Sequence, residues 1–134
     1  MNIYYYFFVC ILIIYKYRDL INQLLSEGKA RVEDWRVKIL EAVGLNGQVI
    51  IEILPELEKV LGRQPPVPEL GPSEAQNRFN RVFMQFVRVF CRSDGPLTLF
   101  LDDLQWADST SLKLMSLMMC DPELRYLFFI GAYR

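Results

Sequence analysis

The chain has 134 residues with 15 Lys and Arg against 16 Asp and Glu, a net charge of −1 at pH 7, and 52% hydrophobic residues. That balance excludes a disordered chain, which needs high net charge and few apolar residues. It also lacks the basic excess of a nucleic-acid binder. With no histidine, every mechanism built on imidazole falls away, including a Ser-His-Asp triad and histidine metal ligation.

The cysteines are Cys10, Cys91 and Cys120, an odd number without a CxxC pair, so neither a zinc site nor a disulfide framework is expected. All three sit in apolar stretches, where free cysteine behaves as a small hydrophobe. A reducing, cytoplasmic compartment is the expectation.

The apolar surplus is concentrated at the start. From Ile3 to Tyr15 (IYYYFFVCILIIY) there is no charge, and Lys16 and Arg18 follow. This run falls short of the roughly 20 residues that a spanning helix needs, which disfavours a membrane segment. The pile of Tyr, Phe and Ile favours a strand by propensity. Against it, Ile11, Ile14, Tyr15, Leu20, Ile21, Leu24 and Leu25 trace a helical stripe, which predicts a helix over about 4–26 stopped by Gly28. A short membrane anchor stays open as the alternative.

Trp35, Ile39, Leu40 and Val43 continue at helical spacing, with Gly44 as the stop. Asn46 is placed to cap GQVIIEIL, and Pro55 interrupts that helix and restarts it as PELEKVLG, ending at Gly62. Residues 63–72 hold four prolines and read as an extended connector. Ser73 and Gln76 then fit a capping box. Phe79, Val82, Phe83, Phe86, Val87 and Phe90 follow on one helical face. Arg78, Arg81, Arg88 and Arg92 around that stripe read as a solvated face.

After Gly95-Pro96 the period changes. Leu97 to Leu101 is an apolar run with the length of a strand buried on both faces, and it ends abruptly at Asp102-Asp103. Asp108 caps a helix over Ser109 to Cys120, Asp121-Pro122 stops it, and 126–132 reads as a second buried strand. Strand, helix, strand in so short a span predicts a βαβ unit with parallel strands. Ligands bind beyond the carboxyl ends of such strands. There, one carboxylate can hold hydrated Mg²⁺ while the other orients a water. A loop-start pair that merely ends a strand is the competing account.

The string TLFLDDLQWADSTSLKLM closely resembles the Walker B region of the signal-transduction (STAND) NTPases, a branch of the AAA-like P-loop ATPases. LFFIGAYR resembles the strand that follows, with Arg134 at the sensor position. The likeness runs over about 17–134, including YRDLINQLLSEG and GQVIIEILPELEKVLGRQPPVPELGPSEAQNRFNRVF. It is nearest to the origin-recognition-like ATPase modules of large bacterial, notably cyanobacterial, hybrid serine/threonine–histidine kinase signalling proteins. The resemblance implies an α/β fold, here a partial P-loop NTPase that is mostly helical around the βαβ unit. It implies ATP and Mg²⁺ as cofactors, with Asp102 holding the metal through water. By the same resemblance Asp103 polarises the attacking water and Arg134 senses the γ-phosphate.

One departure is as informative as the match. The phosphate cradle GxxxxGK[ST] is nowhere in the chain; Gly28-Lys29 comes nearest, but Ala30 follows and the first Gly is missing. The expectation is an internal fragment: an apolar, non-family segment over 1–16, then a partial ATPase domain over 17–134. Three readings stay open. The first is a module inactive alone that binds no nucleotide or Mg²⁺ unless completed. The second is a split or scaffold module completed by a partner signalling chain or by self-association. The third is a short membrane-tethered interaction protein.

Overall fold

A computed structural model describes the backbone of residues 8–134 and the side chains from Tyr17 onward. The start of the expected 4–26 helix, residues 4–7, lies outside the described residues. The chain divides into two compact units, one of Tyr17–Val89 and the other joining Met1–Lys16 to Phe90–Arg134.

The Tyr17–Val89 unit is helical. Helix α1 (Phe8–Ser26) enters it at Tyr17, and α2 (Lys29–Val43), α3 (Gly47–Ile51), α4 (Glu58–Leu61) and α5 (Pro72–Phe90) follow. Tyr17, Ile21 and Leu24 repeat at i, i+4 and i+7 and are all buried, as one face of α1 requires. The stripe of α5 behaves likewise: Val82, Phe83, Phe86 and Val87 are buried. The Tyr17 ring meets Phe86 at 5.5 Å and Phe83 at 6.1 Å between centroids, tilted and edge-on arrangements that favour aromatic pairs. Gly44 (φ 56°) and Gly62 (φ 71°) end α2 and α4 in backbone conformations costly for a side chain. Arg18 pairs with Glu56 at 2.6 Å.

Two expected caps are not formed. Asn46 lies in a 3-10 turn over Gly44–Asn46 with φ −99° and ψ 14°, and its side chain bonds no amide of α3. A cap needs extended backbone before the first turn, and here the chain is already coiling from Gly44. Ser73 lies inside α5, because Pro72 supplies the first helical residue and Ala75 N–H donates to the Gly71 carbonyl at 2.8 Å. The fixed φ of proline suits that first position. Gln76 donates instead to Asn80 Oδ1 at 2.8 Å.

The other unit holds the βαβ. Strand β1 (Leu97–Leu101) pairs in parallel with β2 (Leu127–Gly131), Leu97 opposite Leu127 and Leu101 opposite Gly131. Between them runs α6 (Ser109–Cys120), capped by Asp108, whose carboxylate accepts from Ser111 N–H at 3.3 Å, and ended at Asp121. The fold is therefore α/β and mostly helical, with the parallel strands where the sequence put them.

The expectation of burial on both strand faces needs correcting. Leu99 and Leu101 point inward, but Phe100 is 49% exposed, and on β2 Phe128 is 62% and Ile130 41% exposed. One crossover helix can cover one face of a two-stranded sheet. Side chains alternate along a strand, so among the described residues the Phe100–Phe128–Ile130 side stays open.

Candidate functional site

The site is built by the way the two strands end. Ala132 extends the ladder one residue past Gly131 and uses one backbone group on the end of β1 and the other on the turn that follows it. Its N–H donates to the Leu101 carbonyl at 2.8 Å, and its carbonyl accepts from Leu104 N–H at 3.0 Å. Leu101 and Leu104 are thus pinned to one residue, and the two residues between them are pushed out as a loop. Those residues are Asp102 and Asp103, both exposed at the carboxyl end of β1.

Local chemistry explains how the loop closes in so few residues. Asp103 adopts the left-handed conformation, φ 56° and ψ 40°, which Asp tolerates better than most side chains because a short polar group can bond locally. It does so: Asp103 N–H donates to Asp102 Oδ1 at 2.8 Å, and Asp103 Oδ1 accepts from Gln105 Nε2 at 2.9 Å. A 3-10 turn over Leu104–Trp106 follows, closed by Trp106 N–H on the Asp103 carbonyl and Ala107 N–H on the Leu104 carbonyl, each at 3.0 Å. Gly131 makes room for that turn, since a Cβ there would run into Leu104 Cδ1.

The third expected residue, Arg134, emerges two residues past Ala132 and is exposed. Its backbone N–H donates to Gln105 Oε1 at 3.3 Å. The structure thus gathers Asp102, Asp103 and Arg134 around the ends of two adjacent parallel strands, although 31 positions separate the last two in the chain. Gln105 and Ala132 were not singled out in the sequence. Gln105 carried a weak signal, lying two residues past the pair in the turn; Ala132 carried none, because its part is played by the backbone.

The donor set at the pair is all oxygen, which suits Mg²⁺, a cation that keeps several waters and takes only one or two carboxylates. Asp102 meets that need as an exposed carboxylate. No group of three or more His, Cys, Asp or Glu side chains able to hold a metal lies among the described residues, so the pair does not form an all-protein cage. The same unit carries an open hollow of about 280 Å³ lined by Met118, Met119, Leu124, Leu127, Phe128 and Phe129.

Burial pushes the Cys91 thiol up to about 11. No described helix is long and apolar enough to cross a membrane.

A family model described as an AAA ATPase domain matches residues 5–130 of the chain. The match takes in most of the apolar first 16 residues and the βαβ unit up to Ile130. Among curated proteins, the chain is 41% identical over 101 residues to the hybrid signal transduction histidine kinase G of Dictyostelium discoideum. That alignment covers 75% of this chain and 3% of the relative, so the chain spans a small fraction of that protein's length. No solved structure matches the chain.

Proposed function

Because the chain belongs to the AAA ATPase domain family, we propose that it is part of an ATPase module of a signal-transduction protein, bearing the acidic pair of the nucleotide site. The observation that carries this reading is the display of Asp102 and Asp103 beyond the carboxyl end of β1, held there by both backbone groups of Ala132. In open α/β sheets that is where ligands bind. The likeness to a hybrid signal transduction histidine kinase supports the signalling context.

In this reading β1 is the Walker B strand and the module is cytoplasmic. Asp102 would hold Mg²⁺ through water, and Asp103 would orient the attacking water. Bound Mg²⁺ neutralises charge on the phosphates. Arg134, on the neighbouring strand end, would stabilise the γ-phosphate. Phosphoryl transfer depends almost wholly on positioning and electrostatics. A chain without GxxxxGK[ST] lacks the cradle of amides and the lysine that position the phosphates, so we read it as negligibly active alone.

A second reading has its own observation in favour. The open Phe100–Phe128–Ile130 face, with a two-stranded sheet whose outer edges are unpaired among the described residues, suits a module completed by another chain. Unpaired edges template further strands.

Nucleotide binding and turnover by the purified chain with Mg²⁺ test the first reading. Negligible turnover, unchanged by Asp103→Asn, is expected. Robust Mg²⁺-dependent hydrolysis that this substitution abolishes would overturn the inactive-module reading.

A further inference from the structure

Gln105 spends both halves of its carboxamide on the strand ends. A carboxamide offers a carbonyl acceptor and an NH₂ donor. Here Nε2 donates to Asp103 Oδ1 at 2.9 Å, and Oε1 accepts from the Arg134 backbone N–H at 3.3 Å. The orientation of the amide follows from its neighbours: an ionised carboxylate only accepts, and a backbone N–H only donates. Reversing the amide would lose both bonds. Gln105 itself is held by the 3-10 turn that Leu104 anchors to Ala132. Its side chain therefore spans from the acidic loop after β1 to the segment after β2, across 29 residues of sequence.

We propose that Gln105 is a positioning residue whose carboxamide couples the Asp103 carboxylate to the backbone of Arg134. The inference rests on the reading of Asp103 as the carboxylate that orients water. The backbone of Asp103 is fixed by the loop, but its exposed side chain is held by the bond from Gln105 and without it would swing into solvent. Tied through Gln105, the carboxylate keeps one oxygen occupied and one free. A shift of the chain at Arg134 reaches that oxygen through a single side chain. Conversely, a change in what Asp103 binds is felt at residue 134. Packing needs no such arrangement, since Gln105 is exposed.

The test is residue-resolved amide exchange by nuclear magnetic resonance on the full chain. The variants are Asp103→Gly, which keeps the left-handed backbone but removes the carboxylate, Gln105→Met, Gln105→Glu and the Asp103→Gly/Gln105→Met pair. Asp103→Gly should speed exchange at Arg134 about two- to tenfold, the range for losing one hydrogen bond. Gln105→Met should do the same, and adding Asp103→Gly to it should change nothing more. Gln105→Glu can still accept from Arg134 but cannot donate to Asp103 and repels its carboxylate, so it should speed Arg134 exchange as Asp103→Gly does.

The Leu104 and Ala132 amides, bonded through backbone alone, should stay protected in every variant. Loss of their protection in Gln105→Met would make Gln105 a prop of the turn and overturn the coupling. Indifference of Arg134 to Asp103→Gly, or an equal effect of that change in the Met background, would also overturn it. Should Asp103→Gly itself loosen Leu104 and Ala132, the Glu variant decides alone: exchange at Arg134 as slow as in wild type, with the bond to Asp103 gone, refutes the coupling. None of these readouts requires a metal or nucleotide. Mg²⁺-dependent hydrolysis, with the phosphate cradle supplied, that Asp103→Asn leaves unchanged would defeat the nucleotide-site reading while leaving the coupling intact.

Discussion

Asp103 holds a backbone conformation that most side chains resist, so substitutions there separate the cost of the loop from the chemistry of its carboxylate. At φ 56° and ψ 40°, an ordinary L-residue pays about 1–2 kcal/mol, and Asp pays at the low end. A β-branched side chain is stiffest at χ1 and worst placed. Asp103→Val should therefore lose about 1 kcal/mol to backbone strain. It should lose about 1 kcal/mol more with the hydrogen bond to Gln105, for a total near 2 kcal/mol. Asp103→Asn keeps an acceptor oxygen and tolerates the left-handed region, so it should sit close to wild type. Asp103→Gly relieves the strain but loses the hydrogen bond and raises the entropy of the unfolded chain, effects of about 0.5–1 kcal/mol each that leave a net loss of about 0.5–1 kcal/mol. Thermal unfolding followed by far-ultraviolet circular dichroism, alongside Trp106 fluorescence as a probe beside the loop, measures the series. The Val variant should melt about 6 °C below wild type, Gly about 2–3 °C below and Asn within about 2 °C. A Val variant as stable as Asn would mean that residue 103 is not left-handed, and the account of how the pair is displayed would fail.

Asp108→Ala removes the cap of α6 and should cost about 1 kcal/mol in urea unfolding; no change would show that the 3.3 Å bond to Ser111 contributes nothing. The open strand face should make the isolated chain self-associate, so size-exclusion chromatography should show species above 15.8 kDa, and Phe128→Lys with Ile130→Lys should reduce them. A clean monomer of wild type would show that the edges are already sealed. The Cys91 thiol, pushed up to about 11 from 9.0, ionises later in the folded than in the unfolded chain. Its contribution is intact below pH 9, and stability should fall as pH rises from about 9 to 11, because only the unfolded thiol then releases its proton. At pH 8 Cys91 should alkylate up to about 100-fold more slowly than a thiol at 9.0, and equal rates would contradict its burial.

The elements that the sequence determined by itself are those whose signal is local. The Phe79–Phe90 stripe, the stops at Gly44 and Gly62, the Asp108 cap and the two apolar runs around α6 each follow from spacing or from one residue's backbone preference. The parallel pairing of 97–101 with 127–131 follows from the short crossover between them. Caps were less legible, since Asn46 and Ser73 have the right side chains but lie where the preceding backbone already coils or where a proline starts the helix first.

What tertiary structure alone decided is how the strand ends meet. The pair Asp102-Asp103 was visible in the chain, but its expulsion as a loop depends on both backbone groups of Ala132, and backbone groups leave no mark in side-chain patterns. Likewise the burial of Leu99 beside the exposure of Phe100 could not be told from a five-residue apolar run, because apolarity says a face can be covered and only the packing says which one is. The bridge from Asp103 through Gln105 to Arg134 joins residues far apart in sequence, and it exists only because the sheet register sets Leu101 opposite Gly131.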